Sequence, residues 1–112
     1  MKQPNLNRKL VLEAPARVSD GAGGFSEIWT ALGELWAEMR ARTGRERAEA
    51  GMPVSAVAYR IVVRAAPVGS AMRPTPEQRL RDGARVFVIR AVADVDAQGR
   101  FLTCFADEET AA

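Results

Sequence analysis

Hydrophobic and polar residues alternate with a period of two through most of this chain, the pattern of strands whose side chains point to opposite faces in turn. Residues 8–14 place Leu10 and Leu12 on one side and Val11 on the other, and Pro15 is expected to close this first strand. Residues 25–32 and 34–42 predict a second and a third. In the latter, Leu35, Ala37, Met39 and Ala41 share one face, while Trp36, Glu38, Arg40 and Arg42 share the other. Trp36 therefore stands among charges. It either covers the end of a barrel or lies at a subunit contact, where aromatics and arginines are enriched. Residues 52–66 form the longest β-patterned run, with Val57, Tyr59, Ile61 and Val63 on one face. At about 3.3 Å per residue such a strand would reach roughly 40 Å, longer than a small barrel is tall, so it should bend or run past the barrel.

Residues 85–95 follow, with Phe87, Ile89 and Ala91 facing one way and Val86, Val88 and Val92 the other, a pattern expected of a central strand covered on both faces. Residues 101–106 make the last strand, after a polar hairpin loop ending in Gln98-Gly99. Asp82-Gly83 marks a turn, and so do Asp20-Gly21 and Gly23-Gly24, where glycine supplies the positive φ that tight reversals need. Residues 67–81 read as a loop, because Pro67, Gly69, Pro74 and Pro76 forbid a regular element; Arg73, Arg79 and Arg81 make it basic. It is either a solvated loop or a contact to DNA or to a partner's carboxylates.

Residues 43–51, TGRERAEAG, carry the one helix signature: Thr43 and Glu46 match a capping box, Arg45 and Glu49 are four apart, and Gly51 sits where a C-cap glycine would. A helix of about two turns with no apolar stripe needs tertiary support. It is a solvated excursion or a protruding element that docks on a neighbour. These signals predict an all-β domain spanning residues 1–112, a small barrel or sandwich of about six strands with one short helix and long loops. A flexible N-terminal arm at 1–7 and a frayed acidic tail at 107–112 are expected to flank it.

Composition narrows the chemistry. With 47% apolar and 27% charged residues the chain should fold. No apolar run has the length of a signal peptide or of a membrane span, and Cys104 has no second cysteine to pair with, so assembly in the cytoplasm fits. Lying in an apolar run, Cys104 is expected to pack as a small hydrophobe. The absence of histidine removes the commonest general base and metal ligand. The GAGG run at 21–24 lacks the Lys-Ser or Lys-Thr of a phosphate-binding loop, and Asp94 and Asp96 have no further ligand set around them. No enzyme, cofactor or metal is therefore expected. Of the 16 basic residues only Lys2 and Lys9 are lysines; the arginine bias suits ion-paired interfaces or contacts to a phosphate backbone. Basic residues gather near the start, and Asp107, Glu108 and Glu109 at the end. In a ring such ends can meet across a neighbour; the alternative is two solvated tails.

The order and spacing of LNRKLVLEAPARVSDGAGGFSEIW (6–29), LWAEMRARTGRERAEAG (35–51), YRIVVR (59–64), DGARVFVIRAVADVD (82–96) and RFLTC (100–104) resemble the head-tail joining proteins, also called head-closure or stopper proteins, of tailed phages and gene transfer agents. Residues 67–81 depart from the family pattern, being longer and richer in proline. The resemblance implies a small β-barrel and a structural subunit of the neck ring, commonly of six copies, between portal and adaptor on one side and tail terminator on the other. DNA would leave through its channel, and assembly would take place in the bacterial cytoplasm with no membrane. Candidate subunit or partner contacts are Trp36, Arg40, Arg42, Arg45, Glu46, Arg47, Glu49, Arg73, Arg79 and Arg81. The alternative is a small barrel binding single-stranded nucleic acid through Trp36 beside Arg40 and Arg42, although Asp20, Glu27, Glu34 and Glu38 crowd the same hairpin.

Overall fold

The computed structural model describes residues 3–42 and 57–109. Six strands form one antiparallel sheet: β1 (Arg8–Ser19), β2 (Phe25–Ala41), β3 (Val57–Arg64), β4 (Arg79–Asp82), β5 (Arg85–Asp94) and β6 (Phe101–Glu109). The sheet closes on itself in the order β1-β2-β3-β6-β5-β4, with β4 returning to β1. Closure removes the free edges a small open sheet would expose. No helix occurs among the described residues, and the short helix expected at 43–51 lies outside them.

The alternation read from the sequence sets what lies inside. Leu10 and Leu12 of β1, Ala37 of β2, Ile61 and Val63 of β3, Leu80 of β4, Phe87 and Ile89 of β5, and Leu102, Cys104 and Ala106 of β6 fill the barrel. Burial of each large side chain contributes about 1.5–3 kcal/mol. Tyr59 meets Phe87 edge to face, ring centroids 5.2 Å apart. Cys104 is buried, and that burial pushes its thiol up to about 12, so it packs as a hydrophobe.

The strand boundaries differ from the sequence expectations in several places, β3 among them, which ends at Arg64 rather than at residue 66. Pro15 does not close β1, which runs on to Ser19. Asp20 N donates to Gly24 O, and counting back in alternation puts Pro15 and Trp29 in a pair that exchanges no ladder bonds. Pro15's missing N–H faces away from β2, so nothing is lost. The second and third expected strands are one strand, β2, carrying a bulge. Leu12 pairs with Gly33 and Glu13 with Ala31, leaving Leu32 as the extra residue. The space left by the missing side chain of Gly33 is occupied by Met72, whose Sδ would lie 2.6 Å from an added Cβ.

The end of the expected loop 67–81 is strand β4, paired with both β1 and β5. Asp107 to Glu109, expected to be a frayed tail, continue β6: Asp107 and Glu108 pair with both β3 and β5 and Glu109 with β5, while Arg85 and Arg90 neutralise Glu108 and Asp107. The strand covered on both faces is β6, not β5. Val86 and Val88 remain partly exposed, and a bulge at Arg90 turns Val92 inward. On β6 the outward Phe101 is covered by the guanidinium groups of Arg64 and Arg100, and Phe105 by those of Arg42 and Arg60.

Candidate functional site: a projecting hairpin and its root

Strands β1 and β2 outrun the barrel. β4 pairs with β1 only from Val11 to Glu13, and β3 pairs with β2 only from Ala37 to Ala41. Residues 14–19 and 25–31 thus form a two-stranded arm, six residues on the β1 side and about 20 Å long at 3.3 Å per residue. Its tip is built by sequence chemistry. Asp20 Oδ1 accepts Ala22 N at 2.8 Å and Gly24 N at 3.1 Å, while Gly21 and Gly23 take φ of 78° and 85°. Register puts Ala14, Ala16 and Val18 beside Thr30, Ile28 and Ser26 on one face, and Pro15, Arg17 and Ser19 beside Trp29, Glu27 and Phe25 on the other. Large apolar groups lie open on both: Val18 is 43% exposed, Ile28 48% and Phe25 64%. Arg17 stacks over Phe25 at 4.6 Å.

A two-stranded ribbon is marginal in water on its own, so its root matters. Glu13 points to the outside of the barrel yet is only 5% exposed. Arg79 Nε donates to Glu13 Oε1 at 2.6 Å and Arg81 Nε to Oε2 at 2.9 Å, while Arg79 also lies 4.2 Å over the ring of Trp29. Burial by itself would raise the Glu13 pKa; the hydrogen bonds and charges of Arg81 and Arg79 outweigh it and hold the carboxyl below its usual range. One carboxylate thereby joins β1 to β4, and through Trp29 the clamp reaches the Pro15–Trp29 rung of the arm.

The predicted contact residues divide. Trp36, 55% exposed, projects from the outside of β2 between Lys9 and the acidic Glu34 and Glu38. Arg40 is exposed beside a groove of about 410 Å³ that Glu38, Arg60, Thr103 and the N-terminal Asn5 also line. Asn5 N donates to Glu38, which lays this part of the expected flexible arm against the barrel. Arg42 is buried over Phe105. Arg73 donates to Ala66 O at 2.8 Å and pairs with Asp94, within a loop whose Pro74 is fully buried. Arg79 and Arg81 stand on β4 rather than on a loop and serve Glu13. Arg45, Glu46, Arg47 and Glu49 lie outside the described residues. Sequence reasoning missed the Glu13 clamp, although Arg79-Leu80-Arg81 before Asp82-Gly83 is an alternating strand entering a hairpin turn, with both arginines on one face.

No group of carboxylates, histidines or cysteines among the described residues could hold a metal ion. The arm and its root offer apolar area, backbone edges and ion pairs. A family model described as phage head completion protein matches residues 1–109. The chain belongs to this family. Among solved structures, it is similar to a chain from the virion of a native gene transfer agent particle, at 50% identity and a TM-score of 0.77, covering 98% of this chain and 100% of that one. It shares its fold with protein SF1141 from Shigella flexneri 2a, at 19% identity and a TM-score of 0.74, with full coverage of both chains. A comparison with curated proteins returned no match.

Proposed function

We propose that this head completion protein is a subunit of the neck of a phage-like particle, closing the DNA-filled head and joining it to the tail. The observation that carries this reading is the near full-length, 50% identity to a chain of a gene transfer agent virion. Copies of the barrel, six by the family resemblance, form a ring around the DNA exit channel. The portal and adaptor lie on one side and the tail terminator on the other, and the parts come together in the bacterial cytoplasm. The closed barrel suits the rigid wedge such a ring needs, while the arm adds the exposed apolar groups Val18, Phe25 and Ile28. Heterologous ring contacts need two unlike patches on each subunit, and the arm and the barrel wall are unlike. No catalytic step belongs to this role.

The nucleic-acid reading receives no comparable support, since Arg73, Arg79 and Arg81 are engaged with the chain's own carboxylates and carbonyls and Trp36 is flanked by acids. The deciding experiment is electron microscopy of particles from a producing strain with an early stop codon in this gene. Full or leaking heads accumulating apart from finished tails are expected. Normally joined particles would overturn the proposal, and salt-sensitive binding of single strands by the isolated protein would then be the next measurement.

A further inference from the structure

The arm has two outer edges, and they differ. The hydrogen bond from Asp20 N to Gly24 O fixes the alternation along the hairpin. Residues Val18, Ala16 and Ala14 turn their backbone groups toward Ser26, Ile28 and Thr30; the residues between them turn theirs away. On β2 the outward positions are Phe25, Glu27, Trp29 and Ala31, each with an intact N–H and C=O. Among the described residues no strand pairs with this stretch of β2 on that side. On β1 the outward positions are Pro15, Arg17 and Ser19, and Pro15 has no N–H to offer. Proline on an edge is a device against strand addition, and here it protects one edge alone.

We infer that the open β2 edge of the arm, residues 25–31, takes up an extended segment of a different polypeptide of the particle as an added strand; this rests on the neck role proposed above. Backbone pairing supplies the attachment, and alternate side chains of the incoming segment pack beside Phe25 and Trp29 on one face and Ile28 on the other. The segment that fits is extended, alternately apolar, and free of proline at the paired positions. The arm of a second copy fits poorly. Pairing β2 with a neighbour's β1 meets Pro15, and pairing β2 with β2 is self-complementary, closing at two copies and leaving no ring.

Residue-resolved amide hydrogen exchange tests this on the unaltered protein, isolated at two concentrations and within purified particles. In the isolated chain the amides of Phe25, Glu27, Trp29 and Ala31 should exchange freely at both concentrations; in particles they should slow at least about tenfold, as new backbone bonds require. Slow exchange in the isolated chain means that the edge is already covered by the chain itself, or by a second copy if it grows with concentration, and either result overturns the inference. Fast exchange in particles that contain the chain overturns the pairing but not the neck role. Particles that lack the chain, read by mass spectrometry, overturn both. A paired test uses Glu27→Pro, which removes an outward N–H without breaking a bond to β1, against Glu27→Ala. Supplied to the stop-codon strain, Glu27→Pro should yield at least about tenfold fewer joined particles than Glu27→Ala. Equal yields would overturn the inference.

Discussion

Strands β1 and β2 pass through two environments, and the contrast between barrel and arm separates what alternation decides from what closure decides. Within the barrel Leu10 and Leu12 are fully buried; further along β1, on the continuation of the same face, Val18 is 43% exposed. The side chains are similar and the backbone is extended in both. What changes is the number of neighbours, because each barrel strand has one on either side and, among the described residues, each arm strand has only its hairpin mate. Alternation says which way a side chain points. Closure decides whether anything is there to meet it.

The comparison is broken most directly at Phe87 in the barrel. Phe87 is fully buried against Tyr59 and the core, and Phe87→Ala should cost about 3–5 kcal/mol of unfolding free energy, read by denaturant titration. A loss below about 1 kcal/mol would mean that the barrel core is not what holds the chain together.

Glu13 sits where the two regions meet. Glu13→Ala leaves Arg79 and Arg81 facing each other without their carboxylate and uncovers the Trp29 side of the root; about 2–3 kcal/mol is expected, less than for a fully buried pair because Arg81 is 37% exposed. Its pH dependence has a definite sign. The folded-state pKa of Glu13 lies below the ordinary 4.5, so its stabilisation is complete above about pH 4.5 and is lost as pH falls through the lower, folded value. Glu13→Ala should therefore flatten the acid limb of the stability curve and leave its shape near neutral pH unchanged. An acid limb as steep as that of the unaltered protein would remove Glu13 from the account.

Glu108 sharpens the same point within the barrel wall. The hydrogen bond from Arg85 lowers its pKa against the opposing effect of burial, and this contribution too is present above about pH 4.5 and lost in acid. Since Arg85 is 43% exposed, solvent screens the pair, and Glu108→Gln should cost at most about 1 kcal/mol in thermal or denaturant unfolding. A larger loss would show that the end of β6 depends on this pair rather than on its two ladders.

The all-β class, most of the inward set and the turn at Asp20 were legible because period-two alternation and glycine chemistry are local. What was not legible depends on partners distant in sequence. Pro15 looked like a strand end because only the register with Trp29 shows that its nitrogen faces outward. Arg79 and Arg81 looked like loop residues after Pro74 and Pro76, and nothing local reveals that Glu13, 66 residues away from Arg79, is their acceptor. Asp107 and Glu108 looked like a solvated tail because a run of acids reads as polar; Arg90 and Arg85 across the ladder neutralise them. Residues 25–32 and 34–42 looked like two strands, whereas they are one strand in which Leu32 is an extra residue. The arm itself was present in the sequence as a glycine-tipped hairpin, but its projection followed only from where β3 and β4 stop pairing.

Phe25 should give the smallest stability change and is the sharpest test of the contrast. Its ring is 64% exposed, and its one ring contact among the described residues is the Arg17 guanidinium at 4.6 Å. An exposed pair of this kind is worth about 0.5 kcal/mol, so Phe25→Ala should shift unfolding by no more than that, against several kcal/mol at Phe87. If the ring is kept for a contact outside the chain, the same substitution should lower the yield of joined particles when supplied to the stop-codon strain, while the purified protein melts as before. A fall in stability comparable to Phe87→Ala would place Phe25 in a core and erase the distinction between arm and barrel. An unchanged yield beside an unchanged melting curve would mean that the exposed ring has no contact to lose, and would move attention from the tip of the arm to its edge.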